Sequence, residues 1–121
     1  SETIEFTIDL PVYPERVFRA WLDNGEHSRI TGLPARIENR PGGSFSSLGG
    51  QVSGEMQVIT PVNRILQTWT VPQISPAGQG RIELEFTPTC TGCDLKLVHR
   101  GIPDGMSRQA LAWWETTYSA R

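Results

Sequence analysis

The sequence predicts an α+β fold of order β-α-α-β(5-6)-α, a curved antiparallel sheet wrapped around a long C-terminal helix. Two stretches carry most of that expectation. Val52 to Trp69, VSGEMQVITPVNRILQTW, reads as two strands joined by a turn at Pro61-Val62-Asn63. His99 to Trp113, HRGIPDGMSRQALAW, reads as a strand that ends in Gly-Ile-Pro and hands over to an amphipathic helix. With 121 residues the chain fits a single domain, residues 1–121, large enough to bury a core without metal or disulfide.

At the start, Ile4, Phe6, Ile8 and Leu10 share one strand face while Glu5, Thr7 and Asp9 share the other. Pro14 suits the first turn of a helix, where its missing N–H costs nothing, and Glu15 favours the positive end of the helix dipole. Val17, Phe18, Trp21 and Leu22 supply that helix's buried face, and Asn24-Gly25 is expected to break it. A short second helix over Glu26 to Ile30 is expected to stop at Gly32.

Turn signals then recur at Pro41-Gly42-Gly43, Gly49-Gly50, Pro61-Val62-Asn63, Pro76-Ala77-Gly78 and Thr91-Gly92. The runs between them, near 44–48, 51–59, 64–72, 80–88 and 94–101, have the pattern of an antiparallel meander. If Thr91-Gly92 is a two-residue loop, Cys90 faces Cys93, Phe86 faces Leu97, Leu84 faces His99 and Glu83 faces Arg100. After Pro103 the period becomes helical from Asp104 to Arg121. Met106, Ala110, Trp113 and Thr117 form one stripe, and Ser107, Leu111, Trp114 and Tyr118 its neighbour. The helical pattern has no stop signal at Arg121, so the helix is expected to continue past it.

Composition excludes several function classes. Eleven basic and thirteen acidic residues give a net charge of -2, and no Lys/Arg stripe forms to neutralise phosphates, so nucleic acid is not an expected partner. No run approaches the ~20 apolar residues of a membrane helix, and the N-terminus alternates like a strand, which points to the cytosol. Cys90-Thr91-Gly92-Cys93 lacks the helix start of a redox motif and the further ligands of a zinc site, so no metal or cofactor is expected. Glu83 and Glu85 share an outward face opposite Arg100 and Lys96, the pattern of a solvated charge ladder. His27 is expected at the surface.

The chain resembles the C-terminal domain of the activator of the Hsp90 ATPase, within the START-like (SRPBCC) helix-grip group. The resemblance covers nearly the whole chain. It rests on Pro14-Glu15-Arg16-Val17-Phe18, Gly42-Gly43-Ser44-Phe45, Gly54-Glu55, Pro61 with Arg64-Ile65, Trp69, Arg100-Gly101-Ile102-Pro103 and Trp113, in that order and spacing. Two features depart from it. Eukaryotic activators carry an additional N-terminal domain, and many single-domain relatives have a Trp pair where this chain reads Ile30-Thr31-Gly32-Leu33.

The resemblance implies a helix-grip fold and an apolar cavity between sheet and long helix, with Phe18, Trp21, Phe45, Met56, Trp69, Leu84, Phe86, Leu97, Met106 and Trp113 as candidate lining. Those side chains either meet a small apolar ligand or simply fill the core. His99 shares a strand face with Leu95 and Leu97 and is expected inside, either as a satisfied core histidine or as a group that orients a ligand or moves a proton. The expected function is a non-catalytic binding domain holding a small apolar ligand or a protein partner. Two alternatives are a regulator of an Hsp90-type chaperone, with a face near Arg36 to Arg40, and a cyclase- or hydrolase-like enzyme with His99 as base. The strand edge near Ser1 and the loop Gln73 to Gln79 are the segments open to a second chain.

Overall fold

The computed structural model describes residues 1–72, 74–76 and 78–119. Ala77 of the expected Pro76-Ala77-Gly78 turn, Gln73 of the Gln73 to Gln79 loop and the last two positions of the expected C-terminal helix lie outside the described residues.

Strand β1 (Glu2–Leu10) leads into α1 (Pro14–Leu22) and α2 (Asn24–Thr31). Then come β2 (Arg36–Ile37), β3 (Ser44–Ser47), β4 (Val52–Thr60), β5 (Arg64–Thr68), β6 (Arg81–Pro88), β7 (Cys93–Ile102) and α3 (Ser107–Trp114). The seven strands form one antiparallel sheet in the order β1-β7-β6-β5-β4-β3-β2. Placing β1 beside β7 brings the first strand next to the one that feeds the C-terminal helix. The result is the helix-grip α+β architecture.

The local chemistry explains the boundaries. Asp23, not Asn24-Gly25, separates the first two helices: its carboxylate accepts from the Glu26 N–H at 2.9 Å, so Asn24 and Gly25 open α2 instead of breaking α1. Gly32 stops α2 in the left-handed region with φ 81°, its N–H bonded to the Ser28 carbonyl. The C-terminal helix starts three residues later than its apolar pattern suggests. Asp104 and Gly105 are absorbed by a turn, closed by the Met106 N–H on the Pro103 carbonyl at 3.0 Å. Beyond Trp114 the helix widens to π-type over Glu115–Ser119.

The β6–β7 hairpin is shifted by two residues from the expected register. Phe86 faces Leu95, Leu84 faces Leu97, Ile82 faces His99 and Pro88 faces Cys93. The loop is Thr89 to Gly92, closed by the Thr89 N–H on the Gly92 carbonyl at 3.0 Å. Because side chains alternate with period two, a two-residue shift leaves every one on its expected face, and apolar pairing alone does not distinguish the registers. Glu83 still reaches Arg100, at 3.2 Å, and also Arg64, at 2.5 Å. Burial pushes the Glu83 carboxyl up, but the two guanidiniums outweigh it and hold it below its usual value.

The core centres on Trp69, which is fully buried. It stacks on Trp114 at 5.1 Å between ring centres and on Phe45 at 5.5 Å, and Trp113 meets it edge-on at 6.1 Å. Gly80 fixes the approach of β6 to this cluster. A methyl added there would lie 1.8 Å from Ser75 Oγ and 2.1 Å from the Trp69 carbonyl oxygen. Gly80→Ala is therefore expected to destabilise the fold by at least the ~1–3 kcal/mol typical of overpacking, read as a lower urea midpoint at unchanged slope.

Candidate functional site

The cavity lies under β1. Phe6, Ile8 and Leu10 project from that strand's inner face towards Val17, Ala20 and Trp21 of α1 and Ile30 of α2. Leu95 and Leu97 of β7 form one wall, and Trp114 and Tyr118 close the far side. The space measures about 190 Å³ and its lining is almost wholly apolar. Ile8, Leu10, Val17, Ala20 and Ile30 are all half-buried, so the cavity communicates with solvent between β1 and the two short helices.

Of the candidate lining residues, Trp21 and Leu97 border this space. Phe45, Met56, Trp69, Leu84 and Phe86 are buried in the closely packed core beside it. Phe18 packs edge-on against Phe86 at 5.4 Å and borders a separate surface groove with Leu22 and Val62. Met106 is partly buried against the core, and Trp113 borders an open groove with Val71 and Ile74. The strongest signal for the actual lining was the alternation of β1 together with the Trp114–Tyr118 stripe. Both were legible as apolar faces, but which of them meets empty space depends on how far α1 and α2 stand off the sheet.

Two buried polar chains flank the aromatic core. In the first, the Trp114 indole N–H donates to His99 Nδ1 at 3.0 Å. That leaves His99 Nε2 as the N–H, which donates to Ser75 Oγ at 3.2 Å, and the Ser75 hydroxyl donates to the Trp69 carbonyl at 2.5 Å. His99 is fully buried, and burial drives its pKa from 6.5 down to about 4. Neutral imidazole is the form this chain of bonds requires.

The second chain corrects the surface placement expected for His27, which is 2% exposed. Its Nδ1 donates to the Trp21 carbonyl at 2.8 Å, so Nε2 accepts from the Tyr118 hydroxyl at 2.8 Å. The Tyr118 oxygen in turn accepts from Ser47 Oγ at 3.1 Å. Burial lowers the His27 pKa and raises that of Tyr118, so both are neutral near pH 7. This chain ties α2 and β3 to the C-terminal π-turn at the edge of the cavity. A short helix with one histidine among Asn, Gly, Glu and Ser gave no periodic signal that His27 would turn inward.

A curved sheet gripping a C-terminal helix, with an apolar recess between them, defines a START-like helix-grip domain. The chain belongs to the family described as Activator of Hsp90 ATPase homolog 1-like protein, which matches residues 11–120. It is 27% identical over 105 residues to human "Activator of 90 kDa heat shock protein ATPase homolog 1", covering 87% of this chain and 31% of that protein. It is 25% identical over 100 residues to an uncharacterised Schizosaccharomyces pombe protein, covering 83% of this chain and 29% of the other. This chain thus spans about a third of the length of the curated relatives it matches. Among solved structures, an HSP90 activator from Plasmodium falciparum superposes with a TM-score of 0.86 at 24% identity, covering 99% of this chain and 92% of that one. An AHSA1-like protein from Aeromonas hydrophila gives 0.74 at 13% identity, over 96% and 86%. These likenesses extend to the fold.

Proposed function

We propose that this protein is a non-catalytic binding domain that takes a small apolar group into the cavity beneath β1. The observation that carries the reading is the solvent-connected space of about 190 Å³ between β1, β7, α1, α2 and the C-terminal helix. Roughly 150 Å³ of dry apolar space is enough to lodge benzene, so this one suits a single ring with a short substituent. Larger ligands need the ~300 Å³ or more of most small-molecule sites, and α1 and α2 would have to move outward to admit them. The two histidines support binding over chemistry, since both ring nitrogens of each are engaged within the protein. For His99 to act as a base, its bond from Trp114 would have to break in the core.

Native mass spectrometry of the protein as purified, followed by extraction and identification of any adduct, tests this reading. A stoichiometric apolar adduct is expected, and it should be lost in Ala20→Phe, which fills the space from α1. A clean apo mass together with no uptake of added monocyclic aromatics by the wild type would overturn it.

A second reading, an Hsp90 regulator, rests on the likeness to proteins named as activators of the Hsp90 ATPase. It predicts a changed ATPase rate and co-migration when saturating protein is added to purified Hsp90. An unchanged rate with no co-migration would remove it.

A further inference from the structure

The outer face of the sheet, away from the cavity, carries two like-charged cross-strand pairs of opposite sign. Asp9 of β1 lies directly opposite Asp94 of β7, and Arg100 of β7 lies directly opposite Arg81 of β6. Like charges in directly opposed positions are only about 5 Å apart at Cβ and repel. Neither pair is relieved locally in full. Among the described residues Asp9, Asp94 and Arg81 make no ion pair, and Arg100 shares the single carboxylate of Glu83 with Arg64. The two poles lie six positions apart on β7, about 20 Å along the strand. Between them the outward face holds two rows, Thr7, Lys96, Glu85 and Arg64 in one and Glu5, Val98, Glu83 and Leu66 in the other, with Lys96 paired to Glu5, Arg64 paired to Glu83, and Val98 buried beneath the charged side chains.

We propose that this face is a self-association surface, in which a second copy of the chain lies antiparallel on the first and sets its Asp9–Asp94 pole over the Arg81–Arg100 pole. A two-fold axis lying across the strands in the plane of contact reverses the strand direction and produces that match at both ends. The arrangement is isologous, closes at two copies and leaves at its centre the charges already paired within each copy, Lys96 with Glu5 and Arg64 with Glu83. Four strands at ~4.8 Å spacing over about 20 Å offer only about 400 Å² per copy, below the ~1,000 Å² total of a stable interface once both sides are counted. The dimer is therefore weak and depends on charge, and its association constant should fall about tenfold or more as salt rises from low to physiological.

Two charge-reversal variants test it, each keeping the like-charged pair of one pole and reversing its sign, with the cavity side unchanged. Asp9→Lys/Asp94→Lys makes both poles basic, and Arg81→Glu/Arg100→Glu makes both acidic. In sedimentation velocity at high protein concentration and low salt, the wild type should dimerise. Each variant alone should remain monomeric, and an equimolar mixture of the two should form a heterodimer with NMR shifts confined to the outward residues of β1, β7, β6 and β5. A wild type that stays monomeric at low salt, variants that dimerise like the wild type, or a mixture that stays monomeric would each overturn the proposal. A wild type that stays monomeric but binds an acidic peptide through Arg81 and Arg100 would assign the face to a different occupant and equally overturn self-association.

Discussion

Trp114→Ala is expected to lower the stability of the fold by about 3–5 kcal/mol, the range for removing a buried tryptophan side chain. Trp114 is 1% exposed, stacks on Trp69 at 5.1 Å and meets Phe6 at 6.1 Å, so its loss opens the centre of the aromatic core. It also withdraws the donor to His99 Nδ1, leaving a buried acceptor without its bond. Against a typical total of ~5–15 kcal/mol the effect is a large fraction, and urea unfolding followed by far-UV circular dichroism should show it as a lower midpoint. The neighbouring Trp113 is only partly buried, and Trp113→Ala should cost clearly less. Equal losses from the two variants would show that the helix is rotated from the orientation described.

Acid should destabilise the protein through His99 as pH falls from about 6.5 towards 4. In the folded state the imidazole has its pKa pushed from 6.5 down to about 4 by burial, while in the unfolded chain it titrates near its ordinary value. Between those two values the unfolded state binds the additional proton, so stability falls as pH falls. The full contribution is present above about pH 6.5 and is lost progressively towards pH 4. Integrated over that window, the loss is about 3 kcal/mol. His27, lowered by burial in the same direction, adds to it. Unfolding free energies measured from pH 7 to pH 4 should slope downward in the wild type. His99→Gln should flatten part of that slope while lowering stability at pH 7, because the bonds to Trp114 and Ser75 are remade imperfectly. A wild type with level stability over this range would contradict the burial of His99 as neutral imidazole.

Much of the fold was legible because it rests on alternation and punctuation. The two faces of β1, the stop at Gly32, the turn at Pro61-Val62-Asn63 and the break at Pro103 all follow from residue types whose local preferences agree with the final structure. The hairpin register escaped because two pairings two residues apart put the same side chains inside. The cavity was harder to place. Aromatic residues such as Trp69 and Phe45 are conspicuous in sequence, but they stack tightly on one another, whereas the space opens beside Ile8, Ala20 and Ile30, which look like ordinary core. A void is set by how α1 and α2 stand off the sheet, and no single residue type announces that. The inward turn of His27 shows the same limit, since its partners Trp21 and Tyr118 are remote in sequence from each other and meet only in the fold.

The apolar site beneath β1 is measured most directly by a methyl NMR titration with toluene. Saturable shifts are expected at the methyls of Ile8, Leu10, Ile30, Leu95 and Leu97, with those of Ile65 and Ile82 in the packed core little changed and the response abolished in Ala20→Phe. No shift up to the solubility of toluene, or shifts at the outward methyls of Val98 and Leu66 in place of the cavity ones, would contradict it.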